Sequence, residues 1–241
     1  MKVAIISDIH ANHHALEAVL DHARGQGIDQ FLCLGDIVGY GPDPSKCIST
    51  IQELGCPVIR GNHDHDAGND RDLFNLNDVA RTSLEWTRTQ LSRAQRAWLS
   101  NLPYTRRVGR FAIAHSSLHE PEEWHYIRDL SDAGECLSRQ QVPLCFIGHT
   151  HRPGCFIMEG GPTYQAETTG MQLNGDARTL VNVGSVGQPR DGDPRASYVT
   201  FDRIGRILDF HRVDYDVAAA QKRLLLEGLP QELIERLAEA A

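Results

Sequence analysis

The sequence predicts an α/β fold (α+β in some schemes) in which two sheets pack face to face with helices outside them. Three observations lead there. Short apolar runs alternate with amphipathic stretches through the first half of the chain. The second half is made mostly of strand-like runs. No internal repeat, low-complexity tract or Pro/Gly linker divides the two.

Taken in order, residues 2–7 form a buried strand and 15–24 a helix with Leu16, Val19 and Leu20 on one face. Asn12 caps that helix, and Gly25 and Gly27 stop it. A strand over 31–34, a helix over 44–54 and a strand over 57–60 follow. Helices over 77–91 and 93–99 turn Trp86, Leu91, Trp98 and Leu99 inward. Strands then predominate, over 104–108, 111–114, 144–147, 155–158, 163–167, 180–183, 197–201 and 207–213. In the tail, Asp216 caps a helix carrying Val217, Leu224 and Leu225, and Pro230 starts another carrying Leu233, Ile234 and Leu237. These faces are expected to dock on the same chain, an oligomer contact being the alternative.

Composition narrows the function classes. With 24 basic against 32 acidic residues the net charge is −8, which argues against binding nucleic acid through bulk positive charge. No apolar run approaches the roughly 18 residues a membrane-spanning helix needs. The apolar stretch before Asp8 is too short for a signal peptide, so a cytoplasmic protein is expected. None of the 6 cysteines forms a C-x-x-C pair, which disfavours a zinc ribbon. Histidine, at 12 residues, is the unusual component, and its positions carry the signal.

Five apolar strands run straight into metal-competent side chains: Asp8-Ile9-His10, Asp36, Asn62-His63-Asp64, His115 and His149-Thr150-His151. Taken singly, an Asp or Asn after a strand is a turn former, and Gly35, Gly61 and Gly148 are turn glycines. Taken together, two aspartates, one asparagine and four histidines at strand ends supply ligands for two divalent cations. Sites in α/β sheets assemble beyond the carboxyl ends of strands, so a shared strand direction brings all five clusters to one rim. A Rossmann-type dinucleotide site is disfavoured, because Asp8-Ile9-His10 stands where a G-x-G-x-x-G turn is required.

The set Asp8-x-His10, Gly35-Asp36, Gly61-Asn62-His63-Asp64, His115 and Gly148-His149-Thr150-His151 resembles the calcineurin-like metallophosphoesterase superfamily. The stretch Asn182-Val183-Gly184-Ser185-Val186-Gly187-Gln188-Pro189-Arg190 is similar to its compact prokaryotic branch of phosphatases and phosphodiesterases. The resemblance implies a four-layer αββα sandwich of two mixed sheets over 1–213, with 214–241 a helical tail docked on it. It implies that Asp8, His10 and His151 hold one metal, that Asn62, His115 and His149 hold another, and that Asp36 bridges them. Mn is the first expectation, with Fe, Zn, Co or Ni as other candidates. Metal-activated hydroxide would attack phosphorus in line. His63 would stabilise or protonate the leaving oxygen, with Asp64 orienting its imidazole. Arg190 would grip a phosphate oxygen or pair with Asp191 or Asp193.

The chain departs from many relatives at Ala11, where they have glycine, and at Ser116, where they have His-Gly. Neither change removes a ligand. The loop carrying His119, Glu122, Glu123 and Trp124 is expected to form a substrate wall. The implied function is hydrolysis of phosphomonoesters: phosphorylated small molecules, nucleotides or phosphoproteins. Phosphodiester hydrolysis is the alternative, and a non-catalytic protein-binding scaffold is the rival of another class. A monomer or small homo-oligomer is expected.

Overall fold

Polypeptide order in the computed structural model, which describes residues 1–168, 170–175 and 177–241, follows the expected switch from helices to strands. The first half comprises β1 (Lys2–Ile6), α1 (His13–Arg24), β2 (Gln30–Cys33), α2 (Pro44–Glu53), α3 (Asn62–Gly68), α4 (Asp78–Gln90) and α5 (Arg93–Asn101). Then come β3 (Thr105–Val108), β4 (Phe111–Ala114), α6 (Leu130–Arg139), β5 (Leu144–Ile147), β6 (Gly154–Met158), β7 (Tyr164–Ala166) and β8 (Met171–Gln172). The chain closes with β9 (Arg178–Asn182), β10 (Ala196–Asp202), β11 (Ile207–Val213), α7 (Val217–Leu226) and α8 (Gln231–Glu239). Among the described residues no helix is long and apolar enough to cross a membrane.

The strands form two mixed sheets, ordered β2-β1-β10-β11-β8 and β3-β4-β5-β9-β6-β7. β1 and β2 run parallel in the first, and β4, β5 and β9 run parallel in the second. Strand alternation builds the layers. Val3 and Ile5 of β1 face the second sheet and pack with Phe111, Phe146 and Val181. Ala4 and Ile6 face the other way, onto Leu16, Val19 and Leu20 of α1 and Ile48 and Ile51 of α2. Phe111 meets Phe146 edge to face at 5.4 Å, one of the favoured aromatic geometries. The outer face of the second sheet is covered by Ala133, Cys136 and Leu137 of α6. The order is therefore helix, sheet, sheet, helix, as expected.

Local chemistry explains the boundaries. Asn12 accepts the Ala15 N–H at the start of α1, and Asp216 accepts the Ala219 N–H at the start of α7. In the tail, Ala220, Leu224, Leu229, Leu233 and Leu237 pack with Tyr40 and Ala80 in one apolar cluster.

The structure differs from expectation in several places. Residues 57–60 make only one bridge, Val58 to Cys33. Beyond it the Arg60 N–H turns to the Pro103 carbonyl, so the chain leaves the sheet at once. The helices α3 and α6 and the short strand β8 were not expected. Trp86 and Trp98 are only half-buried. Leu225 is 65% exposed, because α7 turns Ala220 and Leu224 to the core instead.

Candidate metal centre

Each implied ligand stands just past the end of a strand or bridge, on the rim where the carboxyl ends of β1, β2, β4 and β5 converge. The loops there are laced together by backbone bonds. Asp8 N–H donates to Gly35 O at 3.0 Å, His10 N–H to Asp36 O at 2.9 Å and Ala11 N–H to Ile37 O at 2.8 Å. Segment 184–190 clasps the first loop, with Val186 and Gly187 N–H donating to Ser7 and Asp8 carbonyls and Ser185 Oγ also reaching Asp8 O. Asn182 Nδ2 donates to Gly148 O and Thr150 Oγ1, holding the turn between His149 and His151. Glycine is required at two crossings. A Cβ at Gly148 would overlap Ser7 Oγ and Asp8 Oδ2, and one at Gly61 would overlap Asp36 Oδ1.

Backbone strain is concentrated at these positions. Asp8, His10, Asp36, His149 and His151 all have φ between +46° and +67°. Left-handed backbone costs a non-glycine residue of order 1–3 kcal/mol, so five such residues in one site require compensation. Cation binding is large enough to supply it, at about 10–16 kcal/mol for structural zinc.

The donor geometry fits divalent cations. Donor atoms of Asp8, His10 and His151 lie within 4.8 Å of one another, as do those of Asp36, His115 and His149, and of His10, Asp36 and His63. Three imidazoles bond through Nδ1 to backbone carbonyls: His10 to Val38 O at 3.2 Å, His115 to Leu34 O at 2.9 Å and His151 to Gln188 O at 2.6 Å. A carbonyl only accepts, so Nδ1 carries a proton and each ring turns its Nε2 inward. His149 is reversed: its Nε2 bonds Trp124 O at 3.0 Å, which leaves Nδ1 as the free donor atom. Nε2 of His10 and His151 approach to 3.0 Å, a juxtaposition suited to a shared cation. His115 Nε2 lies 3.3 Å from Asp36 Oδ2 and 3.8 Å from Asp8 Oδ1, yet makes no aligned hydrogen bond. The buried Oδ1 of half-buried Asn62 likewise has no partner.

Charge follows from this crowding. Burial works against both carboxylates, but the surrounding histidines hold Asp8 and Asp36 below the usual carboxylate range. Burial lowers His10, His149 and His151, with His149 down to about 3. His115 goes the other way: burial opposes its charge, but Asp36 and Asp8 push it up to about 9. The metal-free site therefore keeps a proton on His115 at neutral pH. That proton must leave before Nε2 can bind a cation. Cation affinity is expected to rise with pH, up to about tenfold per unit for each proton displaced, and to level off above about 9. Calorimetry in buffers of different protonation enthalpy checks this, and a pH-independent affinity would remove His115 from the ligand set.

The remaining expected residues fare differently. His63, the second residue of α3, lies within the site, its ring 4.9 Å from that of His10 and 4.4 Å from that of Tyr40. Burial, then Arg190, His151 and His115, lower it to about 4 against the pull of Asp36. Its orientation by Asp64 is corrected by the structure. Asp64 accepts backbone N–H groups of Ile37 at 2.9 Å, Val38 at 3.2 Å and Gly61 at 3.1 Å, while His63 Nδ1 has no partner among the described residues. Asp64 thus caps α3 and pins the Asp36 loop. Arg190 does not pair with Asp191 or Asp193, which bind Arg212 and Arg195. It donates to Gln188 Oε1 at 2.9 Å and stands over the Tyr40 ring.

Three residues near the centre were not singled out for these contacts. Tyr40 packs against His10 at 4.7 Å, Trp124 offers its carbonyl to His149, and Tyr126 stacks on His149 at 4.0 Å. The last two belong to the loop expected to wall the pocket. Their contacts depend on loop paths that apolar periodicity does not encode.

The model of the calcineurin-like phosphoesterase superfamily domain matches residues 1–205. An uncharacterized protein of Methanocaldococcus jannaschii is 34% identical over 250 residues, covering 98% of this chain and 96% of that protein. A symmetrical bis(5'-nucleosyl)-tetraphosphatase of Erwinia tasmaniensis is 36% identical over 67 residues, 27% of this chain and 24% of that protein. The crystal structure of a metallophosphoesterase from Sphaerobacter thermophilus superposes with a TM-score of 0.87 at 38% identity, covering 100% of this chain and 99% of that one.

Proposed function

Because the chain belongs to the calcineurin-like phosphoesterase superfamily and is a hydrolase of the metallophosphoesterase class, we propose that it uses two divalent cations, Mn first, to hydrolyse phosphomonoesters. The observation that carries this reading is the convergence of imidazole nitrogens on Asp8 and Asp36. Asp8, His10 and His151 would hold one cation, Asn62, His115 and His149 the other, and Asp36 would lie between them. When bound, such a pair supplies a nucleophile from water at neutral pH and neutralises phosphoryl oxygens.

The chain's own residues do the rest. The carbonyls of Val38, Leu34 and Gln188 fix the tautomers of His10, His115 and His151. His63 lies in the site, its ring 4.9 Å from that of His10, and would donate to the leaving oxygen. Arg190 has no carboxylate partner among the described residues and would hold a phosphoryl oxygen. Its extra positive charge favours the dianionic monoester over a singly charged diester. A cytoplasmic location and phosphorylated small molecules or nucleotides as substrates complete the proposal.

Manganese-loaded protein is expected to turn over p-nitrophenyl phosphate faster than bis(p-nitrophenyl) phosphate, and chelation should abolish both activities. The reverse order would make it a phosphodiesterase. No turnover with any divalent cation would favour a protein-binding scaffold.

A further inference from the structure

Beside the metal centre lies a cleft of about 500 Å³, within the roughly 300–1,000 Å³ range of small-molecule sites. It shares a wall with the centre. Thr150, between His149 and His151, lines it, and so does Tyr126, whose ring is stacked on His149. Arg128, Arg152 and Arg190 also line it.

None of these three arginines forms an ion pair among the described residues. What sets them apart from the other arginines without a carboxylate is that all three line one cavity beside the metal centre. Two of the guanidiniums are also held in place by other contacts. Arg128 lies over the Tyr126 ring at 4.4 Å, and Arg190 donates to Gln188 Oε1. Three like charges around one cavity repel one another unless an anion lies between them. A phosphoryl group at the metal centre would engage Arg190 at most, which leaves Arg128 and Arg152 for something further out.

We propose that this cleft is a subsite for a second phosphate group of the substrate, so that preferred substrates carry more than one phosphate. The inference rests on the phosphoesterase reading for its catalytic consequence, but the cleft can be tested without catalysis. Guanidiniums recognise phosphate oxygens bidentately, and Tyr126 and Phe156 supply a flat apolar flank for the group carrying the phosphates.

The probes are tripolyphosphate, orthophosphate and p-nitrophenyl phosphate, and the variant is R128Q/R152Q. Titration calorimetry on metal-free protein is expected to show tripolyphosphate bound about tenfold more weakly by the variant, with orthophosphate within about twofold. In Mn-loaded protein at fixed free metal, kcat/KM for p-nitrophenyl phosphate should stay within about threefold of wild type, while inhibition by tripolyphosphate weakens about tenfold. A control, R106Q/R110Q, removes the same charge from exposed positions and should match wild type. Equal weakening of orthophosphate and tripolyphosphate, or the same loss in the control, would overturn the subsite in favour of bulk charge. If wild type turned over no phosphoester but the calorimetric difference persisted, the hydrolase reading would fall and the polyphosphate subsite would stand.

Discussion

Asp36→Asn is expected to lower kcat of the Mn-loaded protein by about 10³-fold or more, exceeding the roughly 10²–10³-fold cost of losing one oxyanion donor. The size follows from position. Asp36 belongs to two of the donor groups and lies 3.6 Å from His10 Nε2 and 3.3 Å from His115 Nε2. Removing its charge disturbs both halves of the centre. The fold should survive, for two reasons. Asp36 has φ +49°, and asparagine tolerates left-handed backbone better than most residues. Its Oδ1 also accepts the His63 N–H at 2.8 Å, a bond that the amide oxygen of asparagine can keep. A variant with native thermal unfolding in the absence of metal, weak metal retention and lost turnover is the expected combination. Wild-type turnover would reduce Asp36 to a turn residue.

His63→Asn is expected to retain both metals and to slow alkyl phosphate hydrolysis more than p-nitrophenyl phosphate hydrolysis. General acid contributions are typically of order 10²–10⁴-fold, and they are largest when the leaving oxygen is a strong base. A nitrophenolate departs readily without a proton. In the metal-free site His63 is neutral at pH 7, because burial and the neighbouring Arg190 depress it to about 4. A bound phosphate dianion would place negative charge beside the ring and favour its protonation. Equal losses on both substrates, with chemistry rate-limiting, would assign His63 to positioning by hydrogen bonding. Loss of metal together with activity would make it a ligand, consistent with its place in the donor group with His10 and Asp36.

Much of this centre is legible in the sequence because its ligands sit at the ends of apolar strands, and a run such as Ala112-Ile113-Ala114 before His115 fixes where the side chain emerges. The layer order is legible for the same reason, since β1 alternates Val3 and Ile5 with Ala4 and Ile6. What escapes is set by polar contacts rather than periodicity. The helix α3 has almost no apolar face. It forms because Asp64 caps it at Gly61 and Ser100 of α5 takes the Gly68 carbonyl at its far end. The helix α6 did leave a signal, with Asp129 as cap ahead of Ala133, Cys136 and Leu137. The role of Asp64 was misread because sequence adjacency to His63 does not say where a carboxylate points. Three backbone N–H groups outcompete one neighbouring imidazole.

Seven side chains on one rim would hold two cations. Elemental analysis of protein reconstituted with saturating Mn and freed of excess metal tests this most directly. Two metal ions per chain in the wild type, falling below one in Asp36→Asn, is the result the arrangement of donors predicts. A wild-type stoichiometry of one or fewer under saturating metal would contradict the dinuclear centre.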